Sequence, residues 1–189
     1  MANLTVLYDA CVLYPQNLRD LLMHIASTDL VKAKWSPHIH EEWIRNLHQR
    51  KPDIPLERLY KVRELMDSYV EDSVVTGYEP LIETLSLPDE DDRHVLAAAI
   101  VGRADLIITN NIKDFPPEYL QKFKIEAVHP DKFISDLFDL NPLIVCECVR
   151  RQRNNLKKPP RSVDEHLSKL EANSLTETVK RLRDVRDNI

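Results

Sequence analysis

Glycine is nearly missing from this chain, with two residues among 189. That excludes the glycine-rich phosphate loops, since neither a G-x-G-x-x-G run nor a Walker-type run can be assembled from two glycines. Cysteine is scarce as well. Cys11, Cys146 and Cys148 are unevenly spread and form no C-x-x-C, which argues against a disulfide framework and a zinc site. They read as idle thiols in a reducing compartment. No apolar run approaches the roughly 18 residues of a membrane span. The first residues lack the basic-then-apolar layout of a secretory signal, so a cytoplasmic protein without membrane attachment is expected.

What is present is ordinary for a globular chain: 43% hydrophobic and 30% charged residues, enough for one full domain with a small appendage. A net charge of −5 argues against a passive nucleic-acid coat. The charge is unevenly distributed. From Val149 to Ile189 there are 11 Lys and Arg against 6 Asp and Glu, while the preceding 148 residues carry 15 against 25. An acidic body with a basic tail fits acids gathered for a metal and bases touching an anion. It fits a solvated helical tail equally well.

Strand and helix patterns alternate along the body. "LTVLY" (4–8) reads as a strand, and 17–28 as a helix with Leu18, Leu21, Leu22 and Ile25 at helical spacing. A short strand at Lys34–Trp35 leads into a helix from Pro37, with Ser36 as N-cap. A second helix spans 56–69 and a short strand 73–75. A helix opens at Asp89 and stops near Gly102. "DLIITN" (105–110) is the clearest strand, followed by a helix from Pro116, a strand near 125–128 and a helix over 131–137. Strands separated by helices imply a mostly parallel sheet covered on both faces, an α/β three-layer sandwich. After Asn141-Pro142 the alternation stops. Helices are expected near 142–153, 163–171 and 175–187, the first two joined by the polar linker "NNLKKPPRS". The expected division is therefore 1–140 and a basic helical extension over 141–189.

Four acidic stations stand out against this frame. Asp9 ends the first strand; alone it reads as a turn or N-cap acid, yet ligands of parallel sheets collect at the carboxyl ends of strands. Glu41 and Glu42 lie on the 37–50 helix, whose apolar face is Ile39, Trp43, Ile44 and Leu47. At about 100° per residue, Glu42 projects roughly 110° from the centre of that face and Glu41 roughly 150°. Glu42 is the one placed to lean across the sheet's end. In "LPDEDDRHVLAAAI", Asp89 is a natural N-cap, whereas Asp92 points within about 10° of the buried stripe of Val95, Leu96, Ala99 and Ile100. In "IITNNIKDFPP", the strand ends at Thr109 and is followed by Asn110, Asn111 and Asp114. Clustered carboxylates repel unless a divalent cation joins them. Oxygen ligands with no Cys or His nearby point to Mg²⁺ or Mn²⁺. His38 and His40 face apart on their helix and read as surface or local hydrogen-bonding residues.

The set "LYDACVLYP…LRDLL", "WSPHIHEEWIRNL", "LPDEDDRHVLAAAI" and "LIITNNIKDFP", in that order, resembles the PIN domain. Within it the set is similar to the bacterial VapC-type toxins of toxin–antitoxin pairs. The resemblance covers residues 3 to 138, and the tail looks like an appendage of longer members. Position by position it implies that Asp9, Glu42, Asp92 and Asp114 are the catalytic acids that hold the metal. Toxin relatives usually carry an acid where this chain has Asn111, so Asn111 is placed beside Asp114 as a polar ligand or supporting group, together with Asp89 and Thr109. The implied activity is metal-dependent endonucleolytic hydrolysis of RNA, with Mg²⁺ or Mn²⁺ aligning a water for in-line attack and leaving a 5′-phosphate and a 3′-hydroxyl. Arg19, Arg45, Arg93 and Lys113 flank the motifs and are candidate RNA contacts. The implied partners are an RNA substrate and a cognate antitoxin, with the tail available for the antitoxin, RNA or a homodimer contact.

Other classes fit less well. A phosphoacceptor domain would need paired acids at the first strand end, and an Asp-x-Asp phosphatase an acid at position 11, where Cys11 stands. A non-catalytic PIN-like module that binds RNA or protein is the remaining alternative.

Overall fold

The structure is a computed structural model that describes residues 4–157 and 159–189. It opens with strand β1 (Leu4–Tyr8), a single helical turn α1 (Ala10–Leu13), α2 (Gln16–Ala26), β2 (Val31–Lys34), α3 (Pro37–Arg50) and α4 (Leu56–Tyr69). The short α5 (Glu79–Ile82), α6 (Arg93–Val101), β3 (Leu106–Ile108), α7 (Pro117–Leu120), β4 (Glu126–Val128) and α8 (Pro130–Leu140) complete the alternating part. Helices α9 (Pro142–Asn155), α10 (Val163–Glu171) and α11 (Thr176–Asp184) follow. The four strands form one sheet in the order β2-β1-β3-β4, every pair parallel. The expected α/β sandwich is thus present, with an all-parallel sheet where a mostly parallel one was anticipated.

Strand β1 explains the layering. Val6, Leu7 and Tyr8 are fully buried, as expected of a central parallel strand covered on both faces. The Tyr8 hydroxyl donates to the Leu22 carbonyl of α2 at 3.4 Å, and its ring meets Phe133 of α8 edge-on at 6.4 Å. Helix α6 lies against β1 and β3, with its run of buried alanines, Ala97 to Ala99, allowing a close approach.

Two local expectations need correction. The strand anticipated at 73–75 is one isolated bridge, Trp35 to Val74, because Gly77 at φ +76° turns the chain away almost at once. The helix anticipated from Asp89 begins as a 3-10 turn, Glu90–Asp92, and becomes α-helical only at Arg93. Asp89 does cap that turn, accepting from the Asp91 amide at 2.9 Å.

The C-terminal helices share the core of the sheet layer. Val145, Val149, Leu167, Leu170, Val179 and Leu182 belong to the same buried cluster as β1. Gln152 donates to the Asn17 carbonyl at 2.6 Å, and Arg161 to the Asn17 side chain at 2.9 Å. The Asp131 carboxylate receives the Glu177 and Thr178 amides at the start of α11. No helix among the described residues is long and apolar enough to cross a membrane, and the three cysteines are free thiols.

Gly102 closes α6 at a site with no room for a side chain. A Cβ there would lie 2.9 Å from the Ala98 carbonyl oxygen and 2.9 Å from a Val75 methyl. Gly102→Ala should therefore destabilise the fold by about 1–3 kcal/mol through overpacking, read as a lower urea midpoint. An unchanged midpoint would mean that the 73–77 segment yields freely.

Candidate active site

In an open parallel sheet, ligands gather outside the carboxyl ends of the strands where the strand order reverses. Here that point lies between β1, whose next strand is β2 on one side, and β3 on the other. Asp9 follows directly on β1, and Thr109 directly on β3. The pairing of Tyr8 with Ile108 puts them side by side, and the Asp9 amide donates to the Ile108 carbonyl at 3.1 Å.

Asp9 is the N-cap of α1, yet its carboxylate makes no capping bond. It receives Thr109 Oγ1 at 2.7 Å and Cys11 Sγ at 3.0 Å instead, while Thr109 Oγ1 in turn accepts the Asn111 amide at 3.0 Å. Turn-capping therefore fails to account for this acid. The side chain is 2% exposed. Burial pushes its pKa above the ordinary range, the Thr109 and Cys11 hydrogen bonds pull it back, and Glu42 raises it again. A carboxylate this deep without a cationic partner is costly.

Asp92, half-buried at the end of the 3-10 turn, feels the other stations. Its pKa is pushed up to about 7, first by burial and then by the charges of Asp9, Asp89, Asp114 and Glu42. The four stations and Asp89 thus share one electrostatic field, which the motif spacing alone could only suggest. Glu41 and Glu42 separate as the helical wheel indicated. Glu41 faces α4, accepting from Arg63 at 2.8 Å and Tyr60 at 3.0 Å, whereas Glu42 faces the acids. Asp114 ends the 3-10 turn Ile112–Asp114, with its amide on the Asn111 carbonyl. A groove of about 510 Å³ runs from Glu42 and Asn111 past Cys11 toward the end of α3.

Among the described residues, no three His, Cys, Asp or Glu side chains stand close enough to form a ready-made metal cage. The donor set still suits a hard divalent cation. It is built of carboxylate oxygens, and the charges of the neighbouring acids add to burial in raising the pKa of Asp92. Mg²⁺ binds through one or two carboxylates while keeping several waters, so a loose acidic cluster matches it better than a closed cage would.

Several sequence-based assignments change. Cys and His do stand beside the acids: Cys11 bonds Asp9, and His94 Nε2 lies 3.3 Å from Glu42 Oε2. The ring of His38 packs edge-on to His94 at 5.4 Å and is held by the Tyr78 hydroxyl at 3.0 Å. His94 escaped the wheel because Asp92 belongs to the 3-10 turn, which shifts its phase relative to the α-helix that carries His94. His40 is buried between Asp67 and Trp43, a local hydrogen-bonding role but not a surface one. Arg19 is 6% exposed, donates to the Leu13 carbonyl at 2.8 Å and lies over Trp43 at 4.7 Å. It is part of the core and out of reach of RNA. Arg93 is drawn to Glu90 and Glu83, while Arg45 and Lys113 are exposed.

A raised carboxyl pKa has a definite thermodynamic sign. Between about 4 and about 7 the folded chain holds a proton on Asp92 that the unfolded chain, near 3.8, has released. The associated stability is complete below the lower value and is lost as pH rises through the upper one. Metal-free protein should melt at progressively lower temperature from pH 4 to 7 at this site, and Asp92→Asn should flatten that fall. Identical profiles for the two proteins would show that Asp92 does not feel the other acids.

Two family models match the chain, one in the body and one in the C-terminal part. A PIN domain family model matches residues 4–113, and a VapC50 C-terminal domain model matches residues 130–184, from α8 through α11. A Mycobacterium tuberculosis protein named "Putative ribonuclease VapC50" is 47% identical over 64 residues, 34% of this chain. The matched stretch spans 37% of that relative's length. No solved structure matches. The PIN model takes in more than half of the residues, Asp9, Glu42 and Asp92 among them and Asp114 just outside, and the chain belongs to the PIN-domain family.

Proposed function

We propose that the protein is a metal-dependent endoribonuclease, acting as the toxin of a toxin–antitoxin pair, with Asp9, Glu42, Asp92 and Asp114 as the acids of its active site. The observation that carries this reading is the clustering of these acids at Asp92, whose pKa is pushed up to about 7 first by burial and then by the charges of Asp9, Asp89, Asp114 and Glu42. Such a field, at the switch point of a parallel sheet, holds its charges only when a cation is shared among them. The PIN membership and the ribonuclease named among its relatives support the same chemistry.

When bound, Mg²⁺ or Mn²⁺ would neutralise phosphate oxygens and lower the pKa of a water for in-line attack on phosphorus. The chain's own residues do the rest. Thr109 and Cys11 hydrogen-bond the Asp9 carboxylate and fix it in a buried place. His94 holds Glu42 toward the sheet end. Asp92 and Asp114 close the field from α6 and from the turn after β3, with Asn111 presenting an amide beside them. Water adds to phosphorus, the bond to O3′ breaks, and the products are a 5′-phosphate and a 3′-hydroxyl. No side chain here stands as a dedicated general base. Arg45 and Lys113, exposed beside the motifs, are suited to contact the RNA backbone. A cognate antitoxin, and a second copy of the chain, are the protein partners this role implies.

Asp92→Asn should abolish Mg²⁺- or Mn²⁺-dependent cleavage of RNA, a loss on the order of a thousand-fold or more, while the protein remains folded. The neighbouring pair provides the control. Glu42→Gln should lose activity similarly, whereas Glu41→Gln, which only loosens the contacts to Arg63 and Tyr60, should stay within a few-fold of wild type. Gel-based cleavage assays with thermal melting check both. Equal activity in Asp92→Asn would place the reaction elsewhere, and a reversed pattern for the two glutamates would reassign the helix α3 acid.

A further inference from the structure

We infer that the groove leading away from Glu42 is a subsite for an unpaired RNA nucleotide, with Tyr14 and Arg50 as its stacking wall and Asn46 and Gln49 as groups that read the base. The inference rests on the ribonuclease reading for its ligand class and adds to it the conformation of the substrate and the residues that select it.

The groove begins at the acidic field, where Glu42 and Asn111 form one end, and continues along α3. Glu42, Asn46, Gln49 and Arg50 stand at i, i+4, i+7 and i+8, a single stripe of that helix. The stripe flanks the buried face made by Ile39, Trp43 and Leu47. Its order along the groove is an acid at the proposed chemistry, then two neutral amides, then a guanidinium. Amide side chains both donate and accept, which suits the edge of a base. The Arg50 guanidinium sits over the Tyr14 ring at 5.9 Å, near the outer limit of a cation–π contact. Among the described residues Arg50 makes no ion pair, unlike Arg63, Arg93 and Arg181, which are all held by carboxylates.

Tyr14 is held in place for this role. It caps the one-turn helix α1 with its amide on the Ala10 carbonyl at 2.9 Å. The preceding carbonyl, Leu13, is fixed by buried Arg19 at 2.8 Å. The same short segment therefore carries Asp9 and Cys11 at one end and the Tyr14 ring at the other. A volume of about 510 Å³ is right for one or two nucleotides and far too small for a duplex. Unpaired bases are what proteins recognise by stacking on Tyr rings and Arg planes and by bonding to base edges, whereas paired RNA hides those edges.

Binding should be measured on full-length protein carrying Asp92→Asn, in Mg²⁺, with short fluorescent single-stranded RNAs of each base and a matching duplex. Adding Tyr14→Ala should weaken single-strand binding on the order of ten-fold, and Tyr14→Phe should leave it within about two-fold. Arg50→Gln, an exposed substitution with little risk to folding, should weaken binding and reduce the salt slope by about 0.7. Asn46→Ala or Gln49→Ala should alter the ranking among bases. Duplex binding should be weaker and indifferent to Tyr14. In the wild-type background, Tyr14→Ala should raise KM with little change in kcat. Single-strand affinity unchanged by both Tyr14→Ala and Arg50→Gln would overturn the subsite, whether or not the wild type cleaves, and would leave the groove to a protein partner. Groove-dependent binding by a protein that never cleaves would sustain the subsite and remove the nuclease reading instead. Absence of any RNA binding would overturn both.

Discussion

The Asp9 carboxylate is the constraint around which the rest of the site is arranged. It is 2% exposed and stands at the end of a central strand, where its desolvation is large and, among the described residues, no Lys or Arg pairs with it. Two donors make it tolerable, Thr109 Oγ1 at 2.7 Å and Cys11 Sγ at 3.0 Å. Charge-assisted hydrogen bonds of this kind favour the ionised form that burial opposes. The Thr109 bond exists only because β1 and β3 pair in parallel with Tyr8 beside Ile108. The register of the sheet and the placement of the acid are one structural fact.

Three arginines of the body are engaged by the fold itself. Arg19 is buried against Trp43 and the Leu13 carbonyl, Arg63 neutralises Glu41, and Arg93 turns back to Glu90. An arginine beside Asp92 would lower its pKa and improve the free protein, but it would also occupy the place of a metal. The two adjacent glutamates of α3 make the contrast plain. Glu41 has its cation within the fold, whereas among the described residues Glu42 is met by His94 alone, a group whose charge depends on protonation. Carboxylates left mutually repelling are a local loss of stability, of the kind that functional sites carry.

The sequence made the strand–helix alternation legible because each strand is a compact apolar run and each helix has a clean stripe. Leu56–Tyr69 and Val163–Glu171 appear in the structure with the bounds expected of them. It also separated Glu42 from Glu41, since a helix of known phase fixes direction. The failures have physical causes. The α-helical phase was carried back through Asp92, although residues 90–92 form a 3-10 turn, and this hid His94. Arg19 reads as an RNA contact because it flanks a motif, yet its long stem and planar head are buried where a carbonyl and an aromatic face receive them. Cys11 was set aside as an idle thiol, because hydrogen bonding by a thiol leaves no pattern in composition or spacing.

The basic tail can be understood in the same terms. Its excess of positive charge fits an anionic partner and a solvated helical tail equally well, and many of those charges are answered within the chain. Arg181 meets Asp139, Arg183 meets Glu171, Arg186 meets Asp164, and Arg151 meets Glu147. Exposed pairs of this kind contribute little stability each, so they do not hold the tail down. What holds it is the apolar cluster shared with the sheet layer, and a buried polar link in which His166 bonds Gln152 and Gln152 bonds the Asn17 carbonyl. Burial keeps the His166 pKa near 4, so the ring is neutral at pH 7 and the link carries no charge to be screened. Asn17 opens α2, two residues beyond Pro15 and three beyond Tyr14. The C-terminal helices therefore brace the segment that carries Asp9 at one end and Tyr14 at the other, which gives them a structural part in the site.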